Sequence, residues 1–141
     1  MSTDRLAELA RFYETLAPQT LGELARFYAE DAYFRDPFSE VRRRADIEAI
    51  FARMFESLAA PRFTVTGRFA QGDEAMLLWD FDFAVRAWRP RERHLIRGAS
   101  HLRFAADGRV AAHRDYWDAA ELYETLPVLG AVLRAVKRRM G

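Results

Sequence analysis

The run Pro61-Arg62-Phe63-Thr64-Val65-Thr66 marks a change of period in this chain. Upstream of it, apolar side chains recur every third or fourth residue, the repeat of a helix buried on one face. From Phe63 onward they alternate with polar ones, the repeat of a half-buried strand. Downstream, Gly72-Asp73 is a turn, and Glu74 to Ala87 reads as a second long strand that Arg89-Pro90-Arg91-Glu92 turns. His94 to Phe104 reads as a third strand. Ala106-Asp107-Gly108 closes a hairpin, because glycine tolerates positive φ there. Arg109 to Trp117 is a fourth strand, and two helical segments split by Pro127 follow.

Upstream, Thr3 is placed to cap a helix running to Leu16, with Leu6, Leu9, Ala10, Tyr13 and Leu16 on one face. Pro18 ends it. Thr20 and Glu23 have capping-box spacing and open a short helix to about Tyr28. Ala32 to Asp36 is a short extended piece stopped by Pro37. After Arg42-Arg43-Arg44, a third helix over Ala45 to Leu58 carries Ile47, Ile50, Phe51, Met54, Phe55 and Leu58 as its stripe. Helices and strands are segregated, which predicts an α+β fold. The expected architecture is a cone-shaped curved sheet, mixed but mainly antiparallel. It packs on N-terminal helices, is followed by C-terminal helices, and residues 1–141 form one domain.

Composition narrows the function classes. The 141 residues suit one domain of ordinary size and carry no cysteine, which excludes disulfides and thiolate metal sites. Twenty-two basic residues oppose 21 acidic ones, a balance that argues against nucleic acid as a partner. Eleven phenylalanines hint at a lined cavity or a buried interface. No apolar run reaches the ~18 residues of a membrane span, and Met1 to Arg5 lacks the order of a signal peptide, so a cytoplasmic protein is expected. The histidines at 94, 101 and 113 lack metal-ligand spacing, and no glycine-rich phosphate loop occurs, so neither metal nor cofactor is expected.

Alternation sorts the strand side chains. In the third strand Ile96, Gly98, Ser100, Leu102 and Phe104 form the inner set, opposite Arg97, His101 and Arg103. In the fourth, periodicity does not choose between Ala111, His113, Asp115, Trp117 and the other set. In the second, Leu77, Trp79, Phe81 and Phe83 oppose Met76, Leu78, Asp80 and Asp82. A one-residue slip at the Arg89–Glu92 turn exchanges these two sets, so both remain open.

The stretch Ala29-Glu30-Asp31-Ala32-Tyr33-Phe34-Arg35-Asp36-Pro37-Phe38 resembles the nuclear transport factor 2-like superfamily, which includes SnoaL-like polyketide cyclases, ketosteroid isomerase and limonene epoxide hydrolase. Gly98 to Phe104 with Asp107-Gly108-Arg109-Val110 is similar to its last hairpin, and His113 to Asp118 to the last strand of the epoxide hydrolases. The resemblance places His113, Asp115 and Trp117 on the inner face. It puts Asp36 where the isomerases keep a general base, Tyr13 near their oxyanion-stabilising tyrosine, and Ser100 in place of their protonated aspartate. Asp115 matches one of the two catalytic aspartates of the epoxide hydrolases, with Asp82 or Asp80 standing for the other, while their bridging arginine has no counterpart. It also implies a homodimer through the outer sheet face.

Each candidate has two readings. Asp36 is either a base poised by an apolar pocket or a turn aspartate bonding local backbone. Asp115 with His113 is either an acid–base pair on one strand face or a polar group satisfied by Tyr13, Ser100 or Arg114. Trp117 and Phe34 are expected as pocket walls whether or not the protein is an enzyme. Val128, Leu129, Val132, Leu133 and Val136 line one side of the last helix, with Arg134, Lys137, Arg138 and Arg139 on the other side and at its end. That helix is expected to pack on the cone or lid it, although a basic amphipathic helix also suits a membrane surface. The leading expectation is a pocket for a small, mostly apolar organic molecule, with aspartate-driven isomerisation, cyclisation or water addition. Its competitor is a binding or interaction module with no chemistry.

Overall fold

A computed structural model describes residues 3–141, apart from the side chains of residues 3, 127 and 128. The expected cap at Thr3 therefore lies outside the described side chains, as does Val128. Helix α1 spans Thr3–Glu14, a 3₁₀ helix Pro18–Glu23, and α2 Leu24–Phe27. Strand β1 is Tyr28–Arg35, β2 Glu40–Val41, α3 Arg44–Ser57 and β3 Leu58–Gln71. Then come β4 (Glu74–Val85), β5 (His94–Phe104), β6 (Val110–Trp117), α4 (Ala119–Tyr123) and α5 (Pro127–Met140).

The sheet order is β2-β1-β6-β5-β4-β3. Only the β1–β6 pairing is parallel, so the sheet is mixed and mainly antiparallel as expected. It curls, and α1 and α3 lie against β1 and β3. The helical stripes explain that placement. Leu6, Leu9, Ala10 and Tyr13 of α1 and Ile47 and Phe51 of α3 are all buried, at spacings that return to one face. They meet Leu77, Trp79, Leu102, Phe104 and Val110 from the sheet in one core.

Three local expectations are corrected. Thr20 is not a cap at a helix start. Pro18 opens the 3₁₀ helix, where a missing N–H costs nothing, and the Thr20 hydroxyl bonds back to the Ala17 N–H and carbonyl at 2.9 and 3.0 Å. Strand β1 begins at Tyr28 rather than Ala32. Strand β3 begins at Leu58 and runs through Pro61, on the outer edge of the sheet. Proline is tolerated there because the pairing is irregular: it skips from Ala59 opposite Ala84 to Arg62 opposite Asp82, and Ala60 takes φ 47°. The Arg93 guanidinium donates to the Ala59 and Ala60 carbonyls at 2.9 and 2.8 Å, supplying the ladder bonds the bulge gives up.

The β4–β5 register settles the open choice of faces. Leu77 lies opposite Ser100, Trp79 opposite Gly98 and Phe81 opposite Ile96, so the aromatic set of β4 shares the inner face with Ser100. Asp80 and Asp82 take the outer face, where Arg97 approaches Asp80 at 3.8 Å and Arg93 pairs with Asp82 at 2.6 Å. Neither can serve as a second pocket aspartate, and that part of the epoxide-hydrolase comparison fails.

Gly98 is required by the ring packed over it. A Cβ added there would lie 2.3 Å from the Trp79 ring. Gly98→Ala is expected to push that ring aside and cost about 1–3 kcal/mol. Urea unfolding followed by tryptophan fluorescence tests this, and a variant as stable as the parent would refute the packing argument.

The last helix departs from expectation. Helix α5 neither fills the cone nor lids it, and its principal neighbour is α4. No helix among the described residues is long and apolar enough to cross a membrane.

Candidate active site

Strand β6 presents His113, Asp115 and Trp117 to the concave side, because alternate residues of a strand share a face. Asp115 Oδ1 receives two hydrogen bonds, from the Ser100 hydroxyl at 2.5 Å and from His113 Nε2 at 2.6 Å. The Trp79 indole N–H donates to the Ser100 oxygen at 2.9 Å, which leaves the Ser100 proton to point at Asp115. On its other side His113 Nδ1 meets the Tyr28 hydroxyl at 2.6 Å, and Tyr28 in turn bonds to Tyr13. One proton arrangement satisfies every member: Tyr13 donates to Tyr28, Tyr28 to Nδ1, and Nε2–H to Asp115. Burial pushes both tyrosine hydroxyls far above their ordinary value, so they stay protonated donors.

Two cavities meet at this chain. The larger, of about 430 Å³, is lined by Phe34, Asp36, Phe38, Phe51, Phe63, Trp79, Phe81, Asp115, Trp117 and Leu122, among others. A small pocket of about 20 Å³ shares Phe51, Phe63, Trp79 and Asp115 with it and adds Tyr13, Ser100 and His113. That is room for about one water molecule. Asp115 Oδ2 and the Trp117 indole N–H have no hydrogen-bond partner among the described residues. Both belong to side chains on the cavity wall.

Asp36 follows β1 and lines the same cavity. Its Oδ1 accepts the amides of Phe38 and Ser39 at 2.8 and 2.7 Å, which fold the Pro37 turn. The carboxylate makes the turn, as one of its two readings expected, and also lines the cavity. Burial is the main influence on it and raises its pKa above 3.8, against the lowering effect of the two amides. The Asp115 charge raises it further and His113 opposes that.

The predicted residues thus fall into one region. Tyr13, Ser100, His113 and Asp115 form the hydrogen-bonded chain, and Phe34 packs edge-on to His113 with ring centroids 4.9 Å apart. Trp117 meets Phe38 at 5.3 Å, and Phe38 meets Tyr123 of α4 at 5.8 Å. Sequence reasoning missed Tyr28, the middle of the chain, and the hydrogen-bonding role of Trp79. Alternation gave a signal for Trp79 that the open register left unused. Tyr28 had none, because its role depends on the parallel β1–β6 pairing. No group of three metal-ligating side chains occurs among the described residues.

A family model described as SnoaL-like domain matches residues 9–113. The chain belongs to the SnoaL-like domain family. Among proteins similar to this SnoaL-like chain is a steroid Δ-isomerase of Nocardioides simplex, 25% identical over 127 residues, which are 89% of this chain and 98% of that protein. Similar solved structures include an NTF2-like protein of unknown function from Burkholderia pseudomallei. It has a TM-score of 0.74 at 17% identity and covers 86% of this chain and 95% of that one. Another is a protein with a ketosteroid isomerase-like fold from Catenulispora acidiphila, in complex with trimethylamine. Its TM-score is 0.71 at 17% identity, covering 86% and 90% of the two chains. These structures share the fold of this SnoaL-like chain, and at such identity they carry nothing about its chemistry.

Proposed function

We propose that this SnoaL-like chain is an acid–base enzyme that moves a proton on a small, mostly apolar organic molecule, as an isomerase, cyclase or hydrolase needing no cofactor. One observation carries the reading: Asp36 and Asp115 line the same aromatic cavity of about 430 Å³. Asp36, raised by burial, is suited to take a proton from carbon. Asp115 is oriented by Ser100 and His113 through one oxygen, which leaves the other for a donor group of the substrate. Phe38, Phe63, Phe81 and Trp117 supply apolar walls that hold the substrate and exclude water.

The one-water pocket beside Asp115 favours water addition as the second reaction type within this class. A binding module without chemistry draws support from one fact only, that Asp36 is already bonded to its own turn. A panel of β,γ-unsaturated cyclic ketones, followed by absorbance of the conjugated product, separates these readings when run on the parent chain, Asp36→Asn and Asp115→Asn. Turnover lost with binding kept supports the enzyme. Ketones bound by all three chains and turned over by none would leave the binding module.

A second copy of the chain is the occupant we assign to the outer sheet face, where Phe69, Leu78, Leu95 and Tyr116 are exposed. Sedimentation at micromolar concentration is expected to show a dimer, and Leu78→Asp with Tyr116→Asp to yield monomer. A parent chain that sediments only as monomer contradicts this.

A further inference from the structure

We propose that α5 docks the protein onto anionic lipid bilayers. Five apolar side chains of this helix, Leu129, Val132, Leu133, Val136 and Met140, are spaced by three, one, three and four residues. At about 100° per residue they fall within an arc of about 100°. Leu129, Val132, Val136 and Met140 are 40%, 54%, 46% and 83% exposed. Leu133 is half-buried, and the other four lie open among the described residues, because α4 meets a different side of the helix. Gly130 is buried against the Glu124 carbonyl, Arg134 donates to that carbonyl at 3.0 Å, and Lys137 pairs with the Glu124 carboxylate at 2.7 Å. The apolar stripe is left to one side of α4.

Charge decides what covers it. Helix α5 carries Arg134, Lys137, Arg138 and Arg139 and no acidic residue, in a chain whose net charge is only +1. On the same wheel Arg139 borders one edge of the stripe and Lys137, paired with Glu124 and Asp118, the other, with Arg138 opposite. Long cationic side chains at the edges of an apolar stripe can lay their stems along it and reach outward with their charges. That is the layout of a helix lying in a lipid interface, with apolar groups among acyl chains and cations among phosphates. A second copy placed stripe to stripe would instead bring both sets of cations together, with no acid on either helix to offset them. Through α4, which contributes Leu122 to the cavity wall, the docking helix is joined to the site that takes an apolar ligand.

The test is co-sedimentation of the full chain with vesicles. One set is made of equal parts phosphatidylglycerol and phosphatidylcholine, the other of phosphatidylcholine alone. Binding to the anionic vesicles is expected to be at least about tenfold tighter and to weaken with added salt. Arg138→Gln with Arg139→Gln should lower it roughly 30-fold, and Val132→Asp with Val136→Asp should abolish it. These positions are exposed, so circular dichroism of both variants should match the parent. Equal affinity for both vesicle types, or unchanged binding by the Val132/Val136 variant, overturns the proposal. So does a parent chain that ignores vesicles but loses a self-association when Val132 and Val136 are replaced, since the stripe would then belong to a second copy.

Discussion

The Asp36→Asn variant is expected to turn substrate over roughly 100- to 10,000-fold more slowly than the parent, while folding at least as stably at neutral pH. Both halves follow from one environment. The asparagine carbonyl can still accept the amides of Phe38 and Ser39, so the Pro37 turn survives, but the amide cannot take a proton from carbon. The stability half rests on linkage. Burial raises the folded carboxyl above 3.8, the value taken for the unfolded chain. Between those two values the folded state holds more protons than the unfolded one, so stability falls as pH rises through the window. Above it the parent bears the full penalty of a partly buried charge, which asparagine avoids. Below about 3.8 both states of the parent are protonated and the advantage of asparagine disappears. Urea midpoints measured from acid to neutral pH should therefore converge at low pH and separate above it. The same burial moves the acid limb of kcat/KM in the parent upward from 3.8. An Asp36→Asn chain that keeps its turnover would remove Asp36 from the chemistry, and one less stable than the parent at neutral pH would contradict the burial of the Asp36 charge.

What was legible in the sequence follows a physical divide. Element order and the inner set of β5 were readable because one face of that strand is plainly apolar and the other carries Arg97, His101 and Arg103. The faces of β4 were not, because Met76 and Leu78 are apolar on one side and Leu77 and Trp79 on the other, so only the pairing of Trp79 with Gly98 separates them. The neighbourhood of His113 and Asp115 was readable from two-residue spacing. Tyr28 was not, since its bond to His113 joins positions 85 residues apart. It also sits at the junction of α2 and β1, where a helical reading of the preceding residues carries straight through it. The apolar stripe of α5 was equally plain, but a stripe does not say what it packs on. That depends on which side α4 takes, and Gly130 against Glu124 decided it.

Replacing His113 is expected to be the most damaging single change to stability. The ring is 3% exposed, bonded through both nitrogens at 2.6 Å, and packed against Phe34, Tyr13 and Tyr28. Alanine removes the ring and leaves a void, the Tyr28 hydroxyl without its acceptor, and Asp115 with the Ser100 hydroxyl alone. Void and orphaned groups together should cost about 3–5 kcal/mol. Leucine fills most of the volume but answers neither polar group, so His113→Leu should recover only the part due to the void. Tyr28→Phe separates the remaining terms. In the parent it removes the hydrogen bond that His113 Nδ1 needs and should cost about 1–2 kcal/mol. In the His113→Leu background the Tyr28 hydroxyl keeps only its bond to Tyr13, so removing it should cost less than in the parent. The two changes are therefore expected to be non-additive by about 1 kcal/mol or more, read from urea unfolding of the four chains. Strict additivity would mean that Tyr28 and His113 are not coupled. Asp115 would then be held by Ser100 and His113 without support from the tyrosines, and a chain of donors reaching from Tyr13 to the carboxylate would have no energetic basis.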